Sequence, residues 1–347
     1  MMEISTLDIN QAFGQVIYFL VYQLGVAMAA PLILRSELYW VYLFSGLAIA
    51  WLFWKLYLVQ RADQTKGFFK TYFSKDIWWH PSAKTDYRYY LINAVLMAWI
   101  TSQFWVTDRT LVEFLNQATG YNPPGETAVQ SSWMAKLVFT LLLFTAYDFG
   151  RFVAHSLLHD VPWLWEFHKV HHSAEVLTPI TAFRVHPIDL MVMAWVPAFF
   201  TGLITWATHQ WFDSDITFFT FMGFHAVVWV FNLIDHLRHW HVWVHYGPKL
   251  NPWFISPAHH QLHHSADPAH WGCNRGYELA IWDRLYGTFI SPQHIQHPIT
   301  LGLGDGTDSQ WRSVRALFLK PFALLVKPSV AQPTTTQASS SSSQPLQ

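Results

Sequence analysis

The 347-residue sequence is poor in cysteine and in charged residues. Its single cysteine, Cys273, excludes an internal disulfide and any CxxC metal or redox motif. Charged residues make up 12% of the chain, compared with about 25% in soluble proteins. The net charge of −1 gives no electrostatic basis for binding nucleic acid, so no nucleic-acid partner is expected.

Several motifs are also missing. HExxH, the signature of many zinc proteases, does not occur, and neither does a flavin, nicotinamide or cytochrome motif. The first ten residues, MMEISTLDIN, lack the basic region of a secretory signal, which predicts that the first apolar segment is retained. The chain is instead rich in hydrophobic (52%) and aromatic (18%) residues, which favours one membrane-embedded unit.

Six apolar segments are predicted to lie in the membrane as helices. We therefore expect an all-α polytopic membrane protein with about four to six membrane-embedded helices. The loop Gln60–Arg88 is basic, and the positive-inside tendency places it in the cytoplasm. The alternation of spans then puts the histidine-rich segments on the same face. The six segments are approximately Phe13–Leu34, Leu38–Val59, Tyr90–Val106, Trp133–Phe152, Leu190–Ala207 and Ile216–Leu233.

Histidine is abundant and clustered. Of the 20 histidines, 19 lie between His155 and His297. Two HxxHH boxes and one HxxxH pair occur, and on a helix residues three and four apart share one face. Eight such imidazoles exceed the four ligands of a tetrahedral zinc ion, which favours two metal ions. The boxes do not name the metal, because imidazole suits Zn, Cu, Fe and Ni. The eight are His155, His159, His168, His171, His172, His260, His263 and His264.

Two further positions near the boxes leave alternatives open. His259 precedes His260, but the HxxHH pattern selects His260, because His259 is rotated by about 100° on a helix. After the sixth apolar segment, four more histidines offer either an i, i+3 pair or an i, i+4 pair. The first pair is His236 with His239 and the second is His241 with His245.

At these boxes the sequence resembles the fatty acid hydroxylase or sterol desaturase superfamily, a group of membrane-bound di-iron oxygenases. The resemblance runs from about Tyr147 to Phe289 and keeps the order and spacing of the family's motifs. One departure is His155-Ser156, where the family often has His-Arg. The matching elements are HSLLH, HKVHH, FRVHP, HHQLHH and NRGYELAIWDRLYGTF.

The resemblance implies two iron ions, with zinc as a substitute on purification, and O2 as co-substrate. It implies hydroxylation of a C–H bond in a fatty acyl, sterol or related lipid, with desaturation as the alternative on the same site. Electrons would come from a separate cytoplasmic donor. Because the family carries histidine at the end of the sixth span, it favours His236 and His239 as ligands beside the eight box histidines.

A histidine-rich membrane metal transporter is the non-enzyme alternative. A transporter would place ionisable residues within the spans to line a path, whereas the boxes lie at span ends. His225 is the one histidine well inside a predicted span. The expected location is a bacterial inner membrane or the endoplasmic reticulum, with the active site facing the cytoplasm.

The predicted organisation has four parts: an N-terminal membrane region (1–134), a catalytic domain (135–290), a C-terminal amphipathic segment (291–327) and a disordered tail (328–347). His186 is a candidate for an outer-shell or substrate-facing role. Nearby acids are candidates to orient the ligating imidazoles. These acids are Asp148, Asp160, Glu166, Glu278 and Asp283.

Overall fold

The structure is a computed structural model that describes residues 9–33, 36–58, 67–104, 106–121, 133–212, 216–222, 224–295 and 299–326. Within these ranges the chain is mostly helical, which confirms the predicted all-α class. Its helices are α1 (Ile9–Ala29), α2 (Trp40–Phe53), α3 (Phe68–Tyr72), α4 (Lys75–Trp78), α5 (Pro81–Phe104), α6 (Asp108–Thr119), α7 (Trp133–Asp160), α8 (Pro162–His172), α9 (Pro187–Phe212), α10 (Ala226–Asp235), α11 (Gly247–Leu250), α12 (Pro257–His263), α13 (Ile281–Tyr286) and α14 (Val314–Val326).

Short elements join these helices. Strands β1 (Thr220–Phe221) and β2 (Phe224–His225) pair antiparallel, and a π-helical turn, Trp54–Leu58, extends α2. The 3₁₀ turns are Ala30–Leu32, Pro179–Phe183, His236–His239, Pro268–His270, Pro292–His294 and Asp308–Trp311.

Three described helical stretches are long and apolar enough to cross a membrane: Gly14–Leu32, Trp133–Asp160 and Pro187–Phe212. They correspond to the first, fourth and fifth predicted spans, and they mark the chain as a membrane protein. Helix α2 continues as a shorter apolar helix to Leu56. Helix α5 has 24 residues, but its first two turns carry Lys84, Asp86 and Arg88.

The sixth predicted span, Ile216–Leu233, is wrong, because it is not one helix. Its first half forms the β1–β2 hairpin, and α10 has only 10 residues, about 15 Å of helix, or half the hydrocarbon thickness. Thr140 on α7 holds the hairpin in place. Its Oγ1 accepts a hydrogen bond from the Phe219 amide (2.9 Å), and its carbonyl lies 3.0 Å from His225 Nε2.

Helix α6 lies between the third and fourth predicted apolar segments. A capping box of Thr107 and Thr110 begins it, and Gly120 ends it with φ of 71°. It packs on α9 so closely that a Cβ on Gly202 would lie 2.9 Å from the Asp108 carbonyl oxygen. The NPPGE loop (122–126), the first part of the basic loop (60–66) and the tail from residue 327 lie outside the described residues.

Close packing of α7 on α9 positions the first histidine pair. A Cβ on Gly150 would lie 2.6 Å from Pro197 Cα, so only glycine allows the helices to approach this closely. Helix α8 follows α7 after a single residue, Val161, and packs against α14 through a buried cluster that includes Trp165 and Leu317. The division of the chain into four parts stays a prediction.

Candidate metal centre

Nine histidine rings converge where α7, α8, α12 and the 3₁₀ turn His236–His239 meet. They form two groups, and within each group the nitrogens that could bind a metal lie within 4.8 Å of one another. Eight of the nine rings are buried, and His159 is partly buried. The first group is His155, His159, His168, His172 and His263, and the second is His171, His239, His260 and His264.

Each HxxHH box contributes to both groups. In the box on α8, His168 and His172 are four residues apart and join the first group, while His171 joins the second. The box on α12 has the reverse arrangement, because His260 and His264 join the second group and its middle histidine joins the first. The two groups therefore share both boxes and lie side by side.

Hydrogen bonds at the Nδ1 atoms determine which ring nitrogens are available to a metal. His155 Nδ1 lies 2.8 Å from the Arg275 carbonyl, and His263 Nδ1 lies 2.6 Å from the Cys273 carbonyl. A carbonyl only accepts, so both Nδ1 atoms carry the proton and both Nε2 atoms present a bare lone pair. The Asp189 carboxylate, 2.8 Å from His168 Nδ1, has the same effect on that ring.

The Nε2 atoms of neighbouring rings face each other. His155 Nε2 and His168 Nε2 are 3.1 Å apart, although neither has a proton to place between them. His159 Nε2 and His263 Nε2 are 3.2 Å apart, and His239 Nε2 and His260 Nε2 are 2.9 Å apart. Nitrogens about 2.1 Å from a shared ion would lie roughly 3 Å from each other. The donor set fits metal ions, and together the two groups form a metal site.

Burial keeps four of these imidazoles neutral. It lowers the pKa of His172, His260 and His264 well below the ordinary range, with neighbouring histidines adding to the effect. Burial likewise lowers the pKa of His171 to about 3. These four rings are therefore in the form that binds a metal ion at neutral pH.

The carbonyls that orient His155 and His263 belong to one loop. Carboxylates hold this loop in place by accepting hydrogen bonds from it. Asp283 accepts from the Arg275 and Gly276 amides at 2.7 Å each, and Asp160 accepts from Arg275 Nη1 at 2.8 Å. Further along, Asp148 accepts from the Glu278 amide (2.7 Å) and from Trp282 Nε1 (2.8 Å).

Among the described residues, none of the five acids singled out from the sequence bonds a clustered ring directly. Glu166 pairs with Lys169 at 2.8 Å, and Glu278 pairs with Arg238 at 2.6 Å. Sequence reasoning missed Asp189, which does bond a clustered ring. Its only signal was its place in the first turn of α9, two residues after FRVHP.

The other singled-out histidines lie outside both groups. His236 is one 3₁₀ turn before His239, about 6 Å along the axis, and its ring faces Tyr42 with centroids 6.4 Å apart. His241 and His245 are not in either group. His186 contacts the C-terminal helix, with Nε2 3.3 Å from the Phe318 carbonyl.

A cavity of about 560 Å³ adjoins both groups. His155 and His168 of the first group and His171, His239 and His260 of the second contribute to its wall. Much of the remaining lining is apolar and comes from α1, α5 and α9. An apolar cavity that reaches a metal site suits a lipid chain.

Comparison with known proteins shows similarity to one family over part of the chain. Residues 140–288 match the fatty acid hydroxylase family model, a range that holds all nine clustered histidines. This part of the chain is thus similar to the fatty acid hydroxylase family.

Individual relatives are similar over a stretch of comparable length. An ornithine lipid hydroxylase of Rhizobium tropici is 33% identical over 148 residues, which cover 42% of this chain and 40% of that protein. Alkylglycerol monooxygenase of Caenorhabditis elegans is 28% identical over 44% of this chain and 27% of its own length. Human cholesterol 25-hydroxylase is 30% identical over 44% of this chain and 50% of its own length. The chain thus matches half or less of each relative. No solved structure matches.

Proposed function

We propose that this protein is a membrane-bound di-iron oxidoreductase that uses O2 to hydroxylate a C–H bond of a lipid. The observation that carries the proposal is the pair of histidine groups, in which Nε2 atoms of neighbouring rings lie 2.9 to 3.2 Å apart beside an apolar cavity. The relatives support it, because each is named as a lipid hydroxylase or monooxygenase. Desaturation of a lipid on the same site is the alternative.

The chain's own residues have distinct parts in this proposal. Nine histidines hold two iron ions, which supply the activation of O2 needed to attack an unactivated C–H bond. The Asp189 carboxylate and the Arg275 and Cys273 carbonyls fix three of the rings through Nδ1. The cavity holds the lipid chain away from water against the face of the site. Electrons come from a separate donor on the cytoplasmic side.

The first expected result is about two metal ions per chain, iron in the active form, because the nine histidines form two complete groups. Purified protein would be analysed for metal by mass spectrometry, and lipids from cells with and without the gene would be compared for hydroxylated and desaturated species. Fully active protein with a single bound ion would contradict the two-ion site. Zinc in overexpressed, inactive protein would be consistent with imidazole ligands that accept several metals.

The second expected result concerns orientation. The basic loop Gln60–Arg88 predicts that the histidine side faces the cytoplasm and that α6 lies on the opposite side. Ala269 and Gln117 are both exposed, the first beside the third box and the second on α6. In a Cys273→Ser background, a membrane-impermeant maleimide added to intact cells should label Gln117→Cys and leave Ala269→Cys unlabelled. The opposite labelling pattern would reverse the proposed topology.

A further inference from the structure

The cavity beside the metal centre has two unlike walls. Helices α1, α5 and α9 supply apolar side chains, among them Val26, Met97 and Met193. The other wall is charged and comes from α7, from the end of α10 with the 3₁₀ turn after it, and from the residues before α2. Its charged side chains are Glu37, Arg151, Asp235 and Arg238.

Two guanidinium groups of this charged wall flank the Tyr277 ring. The Cζ of Arg151 lies 3.1 Å from the ring centroid and that of Arg238 lies 5.0 Å from it, both within cation–π range. Arg238 is 3% exposed and pairs with Asp235 and Glu278, each at 2.6 Å. Its Nη1 has no hydrogen-bond partner in the part of the chain that the structure describes.

Two side chains of opposite charge at this wall, Arg151 and Glu37, make no ion pair with any residue that the structure describes. Arg151 Nη1 donates to Tyr147 Oη at 3.2 Å, but no carboxylate among the described residues pairs with this guanidinium. Within the same ranges, the Glu37 carboxylate also has no ion-pair partner. Arg151 is half-buried, and a charge taken out of water is costly unless it is paired. Glu37 is exposed, so its carboxylate is accessible to a ligand. A ligand that carries one group of each sign would satisfy both side chains.

The charged wall lies close to the metal centre. Arg151 is one helical turn before His155 on α7, about 6 Å along the axis. Arg238 directly precedes His239 in the chain. A charged group bound here leaves only a few bonds between itself and a carbon that faces the clustered rings.

We propose that Arg151, Arg238 and Glu37 bind the head group of the substrate, and that this head group carries both an acid and an amine. The inference rests on the proposed function and narrows its substrate to a zwitterionic lipid. The acid contacts the two guanidiniums and the amine contacts Glu37, while the acyl chains lie along α1, α5 and α9. The oxidised C–H bond is then near the head group. An amino-acid head and a phosphoethanolamine head share this chemistry.

The test measures equilibrium binding to the full chain, loaded with iron, in detergent micelles and without reductant, so that no turnover occurs. The probes are N-acyl-lysine and phosphatidylethanolamine as zwitterions, phosphatidic acid as an acid alone, and uncharged diacylglycerol. At least one zwitterion should bind about tenfold or more tightly than diacylglycerol, since charge-assisted contacts are worth this much. The tighter of the two zwitterions identifies the source of the head group.

Two variants that remove one charge each, together with a control variant, separate the roles. Arg151→Gln should weaken binding of the preferred zwitterion and of phosphatidic acid about tenfold. Glu37→Gln should weaken the zwitterion by a similar factor and leave phosphatidic acid unchanged. Arg109→Gln is the matched control, because this exposed arginine pairs with Glu113 on α6, away from the cavity, and it should change neither affinity. A purely structural role would not discriminate between the two lipids in this way.

Equal affinity for diacylglycerol and both zwitterions would overturn the head-group site, and so would wild-type zwitterion binding by Arg151→Gln. If Arg151→Gln does not fold, Glu37→Gln provides the test. The proposal is overturned if this variant loses affinity equally for the zwitterion and phosphatidic acid, or if it loses no affinity for either. The proposed function fails separately. The protein could bind the zwitterion selectively and still form no oxidised lipid with iron, O2 and reductant. That result would support the head-group site and contradict the proposed hydroxylase activity.

Discussion

His260→Ala should abolish oxidation of the lipid, with a loss of at least about 100-fold, whereas His259→Ala should keep a substantial part of it. Removing a residue that only hydrogen-bonds to a metal ligand already lowers metal affinity or activity about 10- to 100-fold. His260 Nε2 lies 2.9 Å from His239 Nε2 and 3.1 Å from His264 Nε2, at the centre of the second group. Its loss should also lower the metal content from about two ions per chain to about one.

His259 provides a matched control one residue away. It is equally buried, but its Nδ1 accepts from the Ser256 amide (3.0 Å) and lies 2.7 Å from Ser256 Oγ, in the capping box that begins α12. Losing this cap costs about 1 kcal/mol, so His259→Ala should show a partial defect in stability. Metal analysis and product measurement on both inserted proteins would check this. An inactive His259→Ala beside an active His260→Ala would show that the box is wrongly assigned.

The spacing of the histidines in the sequence was enough to predict most of the side chains that lie in the two groups. The i, i+4 pairs His168/His172 and His260/His264 each join one group, as a helical face requires. Spacing did not reveal that the remaining histidine of each box joins the other group. That division depends on how α8 and α12 pack against each other, which is a tertiary property. His236 and His239 were both predicted as ligands, but only His239 lies in one of the two groups.

Hydropathy predicted the long helices better than it predicted the short segments. Trp133–Asp160 and Pro187–Phe212 are continuous apolar runs, and both form single helices. Ile216–Leu233 is equally apolar, but its first half forms a hairpin instead of a helix. In this hairpin the Phe219 amide donates to the Thr140 hydroxyl, and the His225 ring lies against the Thr140 carbonyl. Asp189 was missed for a similar reason, because the bond to His168 spans 21 positions and leaves no local pattern.

Arg184→Met should destabilise the fold more than any surface substitution, by about 3 to 5 kcal/mol, the usual consequence of breaking a buried ion pair from one side. Arg184 is 1% exposed and belongs to the FRVHP motif. Its Nη1 donates to Asp86 Oδ1 at 2.7 Å, so the change leaves a buried carboxylate without its cation. Its Nε and Nη2 also donate to the carbonyls of Val170 (2.9 Å), Ser173 (3.3 Å) and Trp311 (3.1 Å).

Two of those carbonyls belong to the end of α8, which carries the second histidine box, so loss of Arg184 should also lower metal content. Thermal unfolding and resistance to protease in detergent would measure the effect, with Arg312→Met as control. Arg312 lies at the surface, where it pairs with Glu175, and exposed pairs contribute about 0 to 1 kcal/mol. A double variant, Arg184→Met with Asp86→Leu, should recover part of the loss, because it removes the orphaned carboxylate as well. If Arg184→Met were as stable as Arg312→Met, the buried pair would not hold α8 in place.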